Sequence, residues 1–322
     1  MATKAICPQL PSPTTTSPSS HDGICANATW NKIGTIVAGG NGQGSGLNQL
    51  NKPSGLFVDD DDAVYIVDGM NDRVVKWRPG DSSGQVVAGG NGPGNHTDQL
   101  DDASSIVVDK NGTMFICDSR NTRVLQWVKG ENQAQIIVDN ILCWGLAMDY
   151  EGSLYVADAH EHEIKKWPDN QIVAGGNGEG AALNQLRFFA HIFVDRDKSV
   201  YVADDGNHRV MKWVVGAKEG IVVAGGNGQG DHMDQLSDPQ SMIVDQLGTV
   251  YVADWGNHRI MRWFNGSKSG SVIIDDRSEA NPLELPIDLT FDRHGNLYVV
   301  DYYSHYVKMY AIDKTSCSTD TF

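Results

Sequence analysis

The sequence predicts an all-β fold: a six-bladed β-propeller of four-stranded antiparallel blades, with the ring closed by an N-terminal strand. Three observations predict it. A frame of Asp, eight residues, Asp, eight residues and an aromatic recurs six times. Short runs rich in β-branched residues, separated by polar turns, surround every copy. No helical periodicity interrupts them, as an α/β fold would require.

The copies are Asp59/Asp68/Trp77, Asp109/Asp118/Trp127, Asp149/Asp158/Trp167, Asp195/Asp204/Trp213, Asp245/Asp254/Trp263 and Asp292/Asp301/Tyr310. In the first, Leu56-Phe57-Val58 meets an Asp, turns, and returns through Val64-Tyr65-Ile66-Val67 to the second Asp, which reads as a β-hairpin. A third strand ends in the aromatic, and a fourth follows a further turn, as at Val86-Val87-Ala88. The sixth copy runs out after Tyr310 with no fourth strand, whereas residues 33–38 resemble one at the other end of the chain. Pairing that N-terminal strand into blade six closes the ring. The expected organisation is an arm rich in Ser, Thr and Pro over residues 1–28, a propeller over 29–312 and a tail over 313–322.

With DDGNHRVMKW at 204–213 and DWGNHRIMRW at 254–263 the frame resembles the NHL repeat, named for its Asn-His-Leu-like trio. The resemblance covers roughly residues 29–312 and implies a six-bladed propeller, in agreement with the count of copies. Only blades four and five keep Asn-His (Asn207-His208, Asn257-His258); blades three and six keep the His (His162, His305), and blades one and two have Asp72 and Thr122 there. A His present in only some blades is not a shared catalytic element.

Forty-one acidic residues against 25 Lys and Arg give a formal charge of −16, which disfavours phosphate backbones and argues against a nucleic-acid partner. No apolar run approaches the length of a membrane span, and the opening residues lack the apolar core of a secretory signal, so an export signal is expected to lie outside the given sequence.

GGNGQG at 39–44 invites comparison with a phosphate-binding loop and recurs at 89–94, 175–180 and 225–230. Such loops must open a helix, whereas these join a fourth strand to the next blade. We therefore read them as turns, with Gly supplying positive φ and the following Leu50, Leu100, Leu186 and Leu236 tucked against a blade. The twelve framing Asp residues each end a strand and are read as caps on turn amides. The recurring Trp residues are read as packing wedges between blades. Zinc needs three or four converging ligands, and at the start of the innermost strands the chain offers Gly55, Ser105, Gly145, His191, Ser241 and Asp288. Only His191 and Asp288 qualify, so neither metal nor cofactor is expected, and these two are the residues to test for channel chemistry.

Five Cys leave one over. Cys25 and Cys317 flank the strands that close the ring and are expected to pair; Cys117 and Cys143 fall on one propeller face in adjacent blades and are expected to pair; Cys7 is left free or intermolecular. Sequons at Asn27, Asn95, Asn111 and Asn265, with the segment at 11–20, point to an extracellular glycoprotein. The expected function is a secreted, non-enzymatic binding or structural module with a protein or glycan ligand, extending to filament formation through the arm. The alternatives are a channel-mouth lyase or hydrolase related to the peptide-amidating lyases, some of which are six-bladed propellers with a His-ligated metal, and a carbohydrate-binding propeller.

Overall fold

The computed structural model describes residues 24–25, 27–188, 191–275 and 282–315 of the chain. Six four-stranded antiparallel sheets form the blades. Their innermost strands are Pro53–Val58, Ser105–Val108, Cys143–Met148, Ile192–Val194, Pro239–Val244 and Pro286–Phe291, and neighbouring ones touch in sequence to form a ring. Thr35–Gly39 supplies the outer strand of blade six, pairing antiparallel with Tyr306–Tyr310. A second pairing, Thr29–Trp30 with Ile312–Asp313, joins the ends of the propeller. No helix among the described residues is long and apolar enough to cross a membrane.

A blade buries both faces, so each seam between neighbours has its own apolar cluster. Each cluster combines a second-strand aromatic of one blade with the third-strand aromatic of the next: Tyr65 with Trp127, Tyr155 with Trp213, Tyr201 with Trp263, Tyr251 with Tyr310 and Tyr298 with Trp77. Phe115 and the partly buried Trp167 occupy the seam between blades two and three. This explains the constant spacing of the frame, and it makes Trp77, Trp127, Trp213 and Trp263 buried wedges with no free face for a sugar.

The seams are finished in three ways. At four of them the Gly-rich loop inserts a fully buried Leu: Leu50, Leu100, Leu186 or Leu236. Gly39, Gly40 and Gly42 have φ of +72°, +78° and +77°, and the other three loops repeat the pattern, a conformation that L side chains resist. Between blades two and three the loop is absent; there a disulfide joins Cys117 and Cys143, whose Cα atoms lie 5.4 Å apart. Between blades five and six the N-terminal segment takes the place of the loop. Ile24, Ala28 and Trp30 pack with Leu283 in the seam cluster, Trp30 Nε1 donates to Gly295 O at 2.9 Å, and Arg262 donates to Ala28 O at 2.6 Å. Among the described residues, Ile24, Ala28 and Trp30, the first two inside the segment 1–28 that reads from sequence as an arm, pack against the propeller.

The Cys117–Cys143 bond spans 26 residues. Replacing both with Ala is expected to lower stability by about 3 kcal/mol through loop entropy. The comparison to make is the urea midpoint of the oxidised protein against that of the double variant.

Candidate functional site

The framing Asp residues have two distinct jobs, only one of which is the expected turn cap. The first of each pair caps: Asp109 Oδ1 accepts the amides of Asn111 and Thr113 at 2.8 Å, and Asp59, Asp149, Asp245 and Asp292 accept the equivalent pairs. In four blades the second is a hub, while Asp158 and Asp301 accept turn amides. Asp204 accepts the Arg187 amide at 2.8 Å, Asn207 Nδ2 at 2.9 Å and Arg209 Nε at 2.6 Å. The same Arg209 donates to Ala181, Ala182 and Gln185 carbonyls of the Gly-rich loop. Asp68/Asn71/Arg73, Asp118/Asn121/Arg123 and Asp254/Asn257/Arg259 repeat it. Burial raises the carboxyls of Asp68, Asp204 and Asp254 despite their Asn and Arg partners. The turn-cap reading therefore fails for these four, because a buried guanidinium holding three loop carbonyls needs a counter-charge more than the turn needs a cap. The signal was present in the sequence: Asp-x-x-Asn-x-Arg occurs only in the four blades that a Gly-rich loop precedes.

Three of the four NHL-like His residues, His208, His258 and His305, strap one blade to the next, whereas the buried Nδ1 of His162 has no hydrogen-bond partner among the described residues. All adopt the left-handed conformation, as do Asp72 and Thr122 in the equivalent places. His305 Nδ1 accepts the Lys52 amide at 3.0 Å, His208 Nδ1 accepts that of Asp238 at 3.2 Å, and His258 Nδ1 meets Glu284 O. Asp72 performs the same task with its carboxylate, accepting the Asp102 amide at 3.1 Å. Burial lowers the His305 pKa below the ordinary 6.5. The unfolded chain therefore takes up this proton at higher pH than the folded one. The strap's contribution is full above pH 6.5 and is lost as pH falls through the lower folded value. His305→Asn keeps an acceptor that does not titrate, so its urea midpoint is expected to fall less than the wild type's on acidification from neutral pH.

With these groups committed to the seams, the candidate site is the central channel. A cavity of about 570 Å³ runs from Ser105, His191, Ser241 and Asp288 to the turns at Asp109 and Asp149. Between these ends the inner strands line it with Leu56, Ile106, Leu146, Ile192, Met242 and Leu289. Asp288 Oδ1 accepts Ser241 Oγ at 2.7 Å and the Leu289 amide at 2.9 Å, and its Oδ2 accepts the Leu56 amide at 2.9 Å across the seam to blade one. Ser105 Oγ likewise accepts the Leu146 amide of blade three at 3.1 Å. His191 Nδ1 lies 3.7 Å from Asp288 Oδ1. The two channel residues singled out from sequence do converge, and they recruit Ser241. The Ser241 hydroxyl points at Asp288 rather than at the imidazole, so the trio lacks the nucleophile-to-base hydrogen bond of a hydrolase. Among the described residues no three His, Cys, Asp or Glu side chains are grouped to hold a metal.

Asn27, Asn95, Asn111 and Asn265 are all exposed. Cys25 is disulfide-bonded; its expected partner Cys317, and Cys7, lie outside the described residues.

Fold and repeat together define a six-bladed β-propeller assembled from Asp-framed blades. The propeller carries a match to the NHL repeat: the family model for that repeat matches residues 236–262, from the seam Leu through the Asn257-His258 turn of blade five. No match to the chain was found among curated proteins. An auxiliary nutrient binding protein from Bacteroides ovatus superposes with a TM-score of 0.67 at 14% identity, over 88% of this chain and 78% of that one. Virginiamycin B lyase from Staphylococcus aureus, in a catalytically inactive form with quinupristin, gives 0.58 at 9% identity, over 88% and 99%. A chain of a nidogen/laminin complex gives 0.56 at 18% identity, over 70% and 81%. At these identities the likeness is one of fold.

Proposed function

We propose that the protein is a secreted, non-enzymatic binding module that takes a protein or glycan ligand. The observation that carries this reading is how the repeat's polar groups are used. The hub Asp, the strapping His and the Gly-rich loops serve the seams, and Ser241 is committed to Asp288, so the channel offers a shaped cavity rather than an activated nucleophile. Extracellular placement is supported by the exposed sequon Asn residues and by the Cys117–Cys143 disulfide. A nutrient-binding protein and a chain of a nidogen/laminin complex among the fold neighbours accord with binding.

A glycan array and a binding titration with the full secreted chain test this. The expected result is saturable binding with the ligand recovered chemically unchanged. Recovery of a cleaved or eliminated product, abolished by His191→Ala, would replace this reading with the channel lyase or hydrolase, which the distant lyase neighbour brings to mind. Self-assembly extends the proposal to residues 1–24, most of which lie outside the described residues. Deleting residues 1–23 is expected to abolish assembly while the propeller still folds, since Ile24 and the seam it fills are kept.

A further inference from the structure

We infer that the channel binds a small amphiphile with an apolar body and an ammonium head, and that Asp288 and His191 receive the head. This rests on the binding-module reading and names the ligand class of that same channel. The inner end of the cavity carries a buried carboxylate without a cation. Asp288 is 8% exposed and satisfied by three neutral donors, and no Lys or Arg pairs with it among the described residues. A carboxylate buried in this way is costly unless a cation compensates it.

Beside it the His191 ring borders the cavity. His191 is 8% exposed and lines the cavity. Its backbone is satisfied by Gln240 O and the Ala203 amide, but its ring makes no hydrogen bond among the described residues. An imidazole at the cavity wall with no hydrogen bond to the protein is free to bind what enters the channel. With the ring proton on Nε2, Nδ1 carries a lone pair 3.7 Å from Asp288 Oδ1, a gap that one ammonium bridges by donating to both.

Outward from this pair the wall turns apolar, through Leu56, Ile106, Met242 and Leu289, and the mouth lies at the turns of Asp109 and Asp149. A cavity of about 570 Å³ falls within the range that encloses a drug-sized molecule. The formal charge of −16 attracts a cation and repels an anion of equal size.

Isothermal titration of the full chain at neutral pH with decylammonium, decanol and decanoate, each below its micellar concentration, tests the inference. Decylammonium is expected to bind one to one and at least about tenfold more tightly than decanoate. Asp288→Asn is expected to cost about tenfold in amine affinity and little in alcohol affinity. Should that variant fail to fold, Thr290→Trp, at a half-buried wall position, narrows the channel and is expected to abolish binding with the thermal transition retained. Decanoate binding as well as the amine, an Asp288→Asn protein with unchanged amine affinity, or no binding of any probe up to about 1 mM would overturn the inference. A chain that takes none of the probes yet binds on the glycan array overturns the inference alone. Decylammonium bound but recovered chemically altered overturns the binding-module reading and leaves the head-group assignment in place.

Discussion

Arg209→Ala is expected to destabilise the protein by about 3–5 kcal/mol, because it removes one partner of a buried pair and leaves the other charge uncompensated. Arg209 and Asp204 meet at 2.6 Å with side-chain exposures of 7% and 0%, and the guanidinium also holds three carbonyls of the Gly-rich loop. Losing it strands those carbonyls, and the Asp204 carboxyl, already raised by burial, rises further. The control is Arg120→Ala. That side chain is 63% exposed and contacts Asp101 and Asp102 at 3.2 Å, an arrangement worth at most about 1 kcal/mol. Urea denaturation of both variants reads the difference directly. A loss at Arg209 no larger than at Arg120 would mean that its loop is held by the buried Leu186 alone.

Trp263→Ala should be comparably damaging, at about 3–5 kcal/mol. The indole is 1% exposed and fills the seam between blades four and five with Tyr201, Leu236 and Met261. Its removal opens a cavity against strands held on both sides, so little collapse can offset the loss. Trp144, 39% exposed on the loop face, provides the contrast, and its replacement by Ala is expected to cost under about 1 kcal/mol. A mild Trp263 variant would show that the seam can repack.

Both expectations depend on arrangements that the sequence discloses unequally. The second-position Asp and the Gly-rich loop each appear there as local turn devices. Their connection through Arg209 and its three equivalents runs between residues about 24–28 positions apart, and only the recurrence of Asp-x-x-Asn-x-Arg beside each loop hints at it. The same holds for His305, whose partner Lys52 lies 253 residues away and becomes its neighbour only when the ring closes. The N-terminal segment reads as an arm because Pro, Ser and Thr dominate residues 11–20. Nothing local to Ile24, Ala28 and Trp30 tells that they fill the seam before blade six, where the sequence has no Gly-rich motif.

What the sequence determined by itself is everything that recurs: the number of blades, the strands within each, the wedge positions, and the need for an N-terminal strand to complete the sixth blade. Repetition makes these legible, because a residue type required by the same local geometry six times leaves a period that chance does not. The tertiary structure decided what occurs once. The channel end is made of Asp288 from blade six, Ser241 from blade five and His191 from blade four, which occupy one place in the frame but differ in residue type from blade to blade, so the repeat does not tell which of them pair. They meet because the inner strands, unlike strands within a blade, are not joined by a hydrogen-bonded ladder. Side chains at their starts must reach across to a neighbour's amide, as Asp288 reaches Leu56, and which group faces the cavity then depends on the closure of the whole ring.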